Sequence, residues 1–343
     1  MKSRKIFAFV FAFVVIAISI TTIISIAFNG GSLKENFAFK KYAVSLKSAI
    51  FNIFGVKEYN GIYVENDMLI EISNHTNDVV TLENIEILKD ITEKVENPIY
   101  FSLIPNAEYI SRSTSKRRNL MWNQAGYIEN VYYRLVEDLT VVDVTETLYN
   151  YSDDNIFFKT QNQLSQKGGY HVFQTVMKHL DYQVIELQKY DVEYHSDLFY
   201  GELSYKLGNF NLSDKIEFYR YPFYKRNVST RITDKNGVTH VYKDVYISQK
   251  NGFDAYLGGE NPLTVIRNTE TFSERILVVS DSSFNVMAGF FVDYFEEITF
   301  INPFACNENT GKINPDNYDY VIFMFTADNF NNQSLLHLTH IIE

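Results

Sequence analysis

Cysteine is almost absent from this chain, because Cys306 is the only one in 343 residues. A single cysteine cannot form a disulfide within the chain, and cysteines cannot build a metal site here. No other residues cluster at the spacing of metal ligands. The glycine pairs 168–169 and 258–259 lack the spacing and the lysine of a phosphate-binding loop. We therefore expect no metal and no cofactor.

Positive charge is also scarce, since 31 Lys and Arg face 42 Asp and Glu, for a formal net charge of −11. This balance argues against nucleic acid or another polyanion as a general partner. Core-forming residues are abundant, with 28 Phe, 25 Tyr and 46% hydrophobic residues, which excludes a disordered chain. Internal repeats and low-complexity linkers are absent from the sequence.

One long stretch, Ile6 to Phe28, contains no charged residue. A helix of about 23 residues is roughly 34 Å long, which is enough to cross a hydrocarbon core. Lys2, Arg4 and Lys5 precede the stretch, and a basic flank of this kind stays in the cytoplasm. The stretch is longer than the apolar core of a usual signal peptide and lacks a small-x-small cleavage site. The pattern therefore predicts a retained signal-anchor.

These features predict a single-pass protein of the cell membrane. Residues 1–5 are cytoplasmic, 6–28 span the membrane, and 29–55 form a juxtamembrane helix or linker. Residues 56–343 then form one domain outside the cytoplasm.

Strands and helices alternate along that domain on both sides of a β-rich insertion, about residues 181–274. Two apolar runs at 61–70 flank Asn66-Asp67 and predict a hairpin. The predicted strands are 99–103, 140–144, 276–280, 298–301 and 320–325, and the predicted helices are 81–94, 124–135, 168–180 and 284–295. Such alternation indicates an α/β fold, a parallel sheet flanked by helices.

The most informative turn follows the apolar strand 276–280 and reads Asp281-Ser282-Ser283 before a predicted helix. Free N–H groups at the start of a helix favour an oxyanion, so Ser282 is a candidate nucleophile. The competing interpretation is that Asp281 or Ser282 only caps the helix, because both residue types are preferred caps.

Several segments resemble, in order, one known family. They are Asn60 to Glu71, Ile104-Pro105-Asn106-Ala107-Glu108, Phe199-Tyr200-Gly201-Glu202-Leu203, Tyr256 to Pro262, and Ser280-Asp281-Ser282 with Asn285. Their succession is similar to the DHHW-motif family, relatives of the alginate O-acetyltransferases within the SGNH hydrolase superfamily. The resemblance spans roughly residues 57–325. It implies an SGNH-hydrolase-like sheet, a serine nucleophile at Ser282, and oxyanion or substrate contacts from Ser283, Asn285 and Gly259.

The motif that names this family reads Thr-Asp-His-His-Trp-Thr, and its Asp and second His complete the triad with the serine. The aligned segment here reads Thr160-Gln161-Asn162-Gln163-Leu164-Ser165. Gln161 therefore stands at the Asp position and Gln163 at the His position. A glutamine amide has no basic nitrogen to take the serine proton. Loss of a triad partner costs about 10⁴ to 10⁶ in rate.

Three functions follow as hypotheses. The first is a catalytically impaired family member that binds a cell-surface polysaccharide linked to O-acetylation. The second is an active O-acetyltransferase or esterase in which Ser282 works with a recruited base, His171 being the histidine nearest to the motif. The third is a structural subunit of an envelope complex. The resemblance also implies a multi-pass membrane O-acyltransferase as partner. The replaced triad positions favour the first hypothesis.

Overall fold

The computed structural model describes residues 13, 16, 58–59, 61–73, 76–111, 122–223, 226–270 and 273–343. Within these stretches, no helix is both long and apolar enough to cross a membrane. Three predicted segments lie outside the described residues: the cytoplasmic segment 1–5, the span 6–28 apart from residues 13 and 16, and the linker 29–55.

The described elements are short, and their order matches the predicted alternation. The strands are β1 Glu58–Tyr59, β2 Ile62–Glu65, β3 Met68–Glu71, β4 Ile99–Ile104, β5 Thr140–Val141, β6 Asp191–Phe199, β7 Asp214–Arg220, β8 Val228–Thr233, β9 Thr239–Tyr242, β10 Leu263–Asn268, β11 Arg275–Ser280, β12 Glu297–Ile301 and β13 Tyr320–Thr326. The helices are α1 Asp78–Thr92, α2 Ala107–Ile110, α3 Gln124–Leu135, α4 Thr145–Asn150, α5 Gln166–His179, α6 Glu202–Leu207, α7 Ala288–Phe291, α8 Ala327–Asn332 and α9 Leu338–Ile341.

Among the described residues, eight strands form one sheet in the order β5-β4-β13-β11-β12-β10-β8-β9. Neighbours from β5 to β12 pair in parallel. The neighbours from β12 to β9 pair antiparallel. The predicted mixture of a large central sheet and flanking helices is confirmed, but the sheet is not parallel throughout.

The antiparallel part of the sheet comes from the predicted insertion, because three strands of the insertion join the main sheet. β10 pairs with β12 over five residues, and β8 and β9 extend the same edge. Only β6 and β7 form a separate two-stranded sheet. The predicted hairpin is confirmed as β2 and β3, with Asn66 and Asp67 at φ of 48° and 57° in the turn. Positive φ at both central residues is the geometry that two-residue hairpins favour.

The central strands are buried on both faces, which explains their continuous apolar sequence. In β11, Ile276 and Val278 pack into one core layer, while Leu277 and Val279 pack into the other. The first layer includes α5, and the second includes α1 and α3. Alternating side chains along each strand therefore hold the two helical layers against one sheet.

The predicted helix 284–295 is wrong in its extent. The chain instead makes a 3₁₀ turn at Ser282–Val286, followed by the short helix α7. Every residue of both pieces is buried. Tertiary packing on all sides, rather than the apolar periodicity of one helix face, therefore sets this backbone. The predicted strand 140–144 is likewise reduced to the two-residue edge strand β5.

One buried ion pair fastens the segment after α7. The Arg226 guanidinium donates two hydrogen bonds of 2.6 Å to the Asp293 carboxylate and a third of 3.3 Å to the Gly289 carbonyl oxygen. The Asp293 side chain is fully buried and that of Arg226 is 14% exposed. Removal of either partner would leave a buried charge without compensation.

We predict that Asp293→Ala lowers the free energy of unfolding by about 3 to 5 kcal/mol, because Arg226 would remain buried and unpaired. The matched control is Lys312→Ala, which removes an ion pair with Glu343 whose side chains are 67% and 51% exposed. Exposed pairs of this kind contribute about 0 to 1 kcal/mol. Equal losses in chemical denaturation of the two variants would contradict the prediction.

Candidate functional site

A cleft of about 300 Å³ opens where four parallel strands end. β4 leads into Asn106, β11 into Ser282, β12 into Asn302 and β13 into Asp328, and all four residues line the cleft. Parallel strands place their carboxyl ends at one edge of the sheet, and ligands of open α/β sheets bind there. The sheet order therefore builds the site from residues that are distant in sequence.

Asp281 caps the turn that carries Ser282. Its carboxylate accepts hydrogen bonds from the Ser283 N–H at 2.9 Å and the Thr326 N–H at 2.8 Å. It also accepts from the Thr326 hydroxyl at 2.7 Å and the Asn329 amide at 2.8 Å. Of the two residues that could cap this turn, Asp281 is therefore the one that does so. The Ser282 hydroxyl is left to face the cleft.

Gln163 contacts the candidate nucleophile directly. Its Nε2 donates to Ser282 Oγ at 3.2 Å, although the two residues are 119 positions apart. The family resemblance places a histidine at this position. In either orientation of the amide, neither its nitrogen nor its oxygen can take the serine proton near neutral pH. The contact orients the hydroxyl without activating it.

A network around Asp214 holds the segment that presents Gln163. The Asp214 carboxylate accepts from the Lys159 N–H at 2.6 Å and from the Thr160 N–H at 2.9 Å. The Thr160 hydroxyl accepts from the Gly201 N–H at 2.8 Å. Burial raises the pKa of Asp214 above its usual range. Sequence reasoning missed Asp214, because nothing near it in sequence shows that β7 begins beside the motif segment.

Two glycines lie where other backbone segments approach too closely for a side chain. A Cβ on Gly201 would lie 2.3 Å from the Thr160 carbonyl oxygen, and one on Gly168 would lie 2.0 Å from the Ile156 carbonyl oxygen. Real Cβ atoms do not approach backbone oxygens so closely. The chain therefore passes close to both ends of the segment that carries Gln163.

The other sequence-predicted residues are distributed around the turn. Ser283 is fully buried, and its N–H is engaged by Asp281. Asn285 is also buried and donates through Nδ2 to the Gly259 carbonyl oxygen at 3.0 Å. Gly259 has a φ of 83°, which favours glycine. None of these three residues lines the cleft, so their roles in oxyanion or substrate contact stay predictions.

A second, more open cleft adjoins the first at Ser282 and Gln163, which line both. Gln161 lines this second cleft, together with Phe199, Tyr200 and Tyr205. The structure thus brings Gln161, Gln163 and the candidate nucleophile Ser282 into one continuous surface.

No histidine among the described residues lines either cleft. His171 is buried on α5, where its ring stacks on Tyr151 with centroids 3.7 Å apart. Burial lowers its pKa to about 4. His75 lies outside the described residues. Within the described residues, no group of His, Cys, Asp and Glu is arranged to hold a metal ion.

A polar network holds Asn106, which lines the cleft. The Asn106 amide donates to the Ser73 hydroxyl and accepts from Gln124 Nε2, while the Asn106 N–H donates to Gln124 Oε1 at 3.1 Å. Glu108 accepts from the Ser73 N–H at 3.0 Å, and burial raises its pKa. The turn after β4 is therefore rigidly placed.

Solved structures share this fold. A DHHW family protein from Eubacterium siraeum aligns with a TM-score of 0.71 at 15% identity, over 83% of this chain and 97% of that one. Bacillus cereus PatB1 with a sulfonyl adduct aligns at 0.65 and 16%, over 80% and 97%. A second structure of Bacillus cereus PatB1 aligns at 0.61 and 15%, over 80% and 98%. No protein-family model and no curated protein matches the chain. The resemblance read from the sequence is thus supported at the level of the fold.

His171 makes a pH-dependent contribution to stability. Its pKa is about 4 in the folded chain, below the ordinary value of 6.5 that the unfolded chain keeps. Between these values the unfolded chain binds more protons, so the free energy of unfolding falls as the pH decreases from 6.5 towards 4. We predict that His171→Phe, which keeps a stacked ring, removes about 2 kcal/mol of this loss at pH 5. Chemical denaturation at pH 7.5 and pH 5 measures it.

The matched control is His179→Phe at the exposed end of the same helix, which should keep the wild-type difference between the two pH values. An unchanged pH dependence in His171→Phe would show that the buried ring is not the group responsible.

Proposed function

We propose that this chain is a membrane-anchored, extracytoplasmic relative of the polysaccharide O-acetyltransferases that binds a cell-surface polysaccharide and has lost most of its catalytic power. The hydrogen bond from Gln163 to Ser282 carries the proposal, because Gln163, which the family resemblance aligns with the triad histidine, offers only an amide to the serine hydroxyl. The cleft at the strand ends is retained, so the scaffold for a ligand persists without the proton acceptor.

Binding is favoured over catalysis by the chemistry around Ser282. A serine hydroxyl needs a base within hydrogen-bond reach, and its observed side-chain partner is a glutamine amide. A rescue by histidine finds no support in the described residues, since His171 is held in a stacked, buried position away from both clefts. Asp281 is fully engaged by four donors and serves to hold the turn.

Attachment to a membrane would serve binding by raising the local concentration of the domain at the cell surface. The span 6–28 and a multi-pass O-acyltransferase as partner are part of this proposal. Both derive from the sequence and the family resemblance.

We predict that the purified full chain does not measurably hydrolyse an activated acetyl ester such as 4-nitrophenyl acetate. The double substitution Gln161→Asp with Gln163→His should raise turnover tenfold or more, because general base catalysis contributes about 10² to 10⁴ in rate. Adding Ser282→Ala to the double variant should abolish the gain. The release of 4-nitrophenolate measures all three.

Gln174→His is the matched control for imidazole acting on the ester without Ser282, since Gln174 lines neither cleft. It should leave turnover at the wild-type level. Wild-type turnover that Ser282→Ala removes would overturn the proposal and favour an active enzyme.

The anchor is tested by fractionation. We predict that the full chain sediments with membranes and is digested by protease added to intact cells from which any outer wall has been removed. Deletion of residues 1–28 should release it from the membrane fraction, because the apolar span supplies the attachment. If cells that express the full chain yield a protein that lacks the first 28 residues, a cleaved signal peptide is indicated instead.

A further inference from the structure

Both clefts at Ser282 are lined by carboxylates and by no described Lys, Arg or His. The acidic lining residues are Glu71, Glu202, Glu260, Asp281, Asp328 and Asp254.

Among the described basic residues, Lys206 is paired with two of these carboxylates. Lys206 Nζ is 2.9 Å from Glu71 and 3.6 Å from Glu202. Glu260 is exposed and has no hydrogen-bond or ion-pair partner among the described residues. Burial, and then repulsion from Glu71 and Asp281, raises the pKa of Asp328. Among the described residues, the negative charge in the cleft is thus only partly compensated.

One buried polar atom and one amide of a cleft-lining residue have no hydrogen-bond partner among the described residues, and both suit a ligand with complementary groups. Asn302 is 3% exposed and lines the cleft, and its Oδ1 accepts from the Phe304 N–H at 3.1 Å. Its Nδ2 has no partner among the described residues. Gln163 Oε1 is buried without a partner. A buried polar atom without a partner is costly, and a bound ligand is one means of satisfying it.

We propose that this cleft binds a glycan whose sugars carry protonated amino groups, and that it rejects polymers of uronic acids. The inference rests on the glycan binding proposed above and specifies its substrate class. An ammonium group supplies three donors and no acceptor, which matches carboxylates that can only accept. A uronate would instead place another carboxylate among the existing ones, where like charges repel strongly.

The neutral parts of such a glycan match the remaining groups. Asn302 Nδ2 can donate to a hydroxyl or ring oxygen, and Gln163 Oε1 can accept from a hydroxyl. The aromatic rings of Tyr200 and Tyr205 in the adjoining cleft offer flat faces for neighbouring sugars. The charge-bearing and neutral contacts are therefore both present along one surface.

The test uses the full chain in detergent and three fluorescently labelled oligosaccharides of equal length: a glucosamine oligomer, its fully N-acetylated form, and an oligoguluronate. Fluorescence anisotropy gives the dissociation constants. We expect the glucosamine oligomer to bind at least tenfold more tightly than the N-acetylated form, and the oligoguluronate not to bind. Increasing salt should weaken the first interaction most, because salt screens charge pairs.

Glu260→Gln removes one negative charge from an exposed position in the cleft and should weaken binding of the glucosamine oligomer at least threefold. Glu129→Gln removes the same charge from the exposed face of α3 and should leave it unchanged, which separates recognition from general attraction to an acidic protein. Equal or tighter binding of the N-acetylated or uronate oligomer, or equal effects of the two substitutions, would overturn this inference alone. Absence of binding by all three oligomers would overturn the proposed glycan binding as well.

Discussion

The site depends on the parallel pairing of β11 with β12 on one side and β13 on the other, with β4 beyond β13. Because these strands run in one direction, the segments that follow them emerge at the same edge. Both faces of the sheet are covered by packed layers, so this edge is where backbone turns reach solvent without exposing the core. Ser282, Asn302 and Asn106 meet there although they belong to three separate parts of the chain.

Gln163 reaches the same place by a different route, since its segment belongs to no strand of the main sheet. Asp214 at the start of β7 holds the Lys159 and Thr160 N–H groups, and the close passage of Gly201 limits the remaining freedom. The region predicted as an insertion therefore has two structural roles. It extends the sheet through three strands, and through Asp214 it positions the segment that contacts Ser282.

The architecture of the site does not by itself determine the partner of the Ser282 hydroxyl. The turn, its Asp281 cap and the cleft are all present, yet the partner of the serine hydroxyl is an amide. Nothing in the packing requires histidine at position 163, because the segment is held mainly by backbone hydrogen bonds. The architecture around Ser282 is therefore compatible with an amide at position 163.

Much of this protein follows from local sequence, because apolar periodicity reports which side chains are buried, and a Gln at position 163 has no basic nitrogen in any fold. The central strands, the hairpin at Asn66-Asp67 and the turn carrying Ser282 were predictable for that reason. Tertiary structure alone decided the strand order, the choice of Asp281 as cap, the role of Asp214 and the gathering of carboxylates at the cleft. Each of these depends on contacts between residues far apart in the chain, which local patterns do not encode.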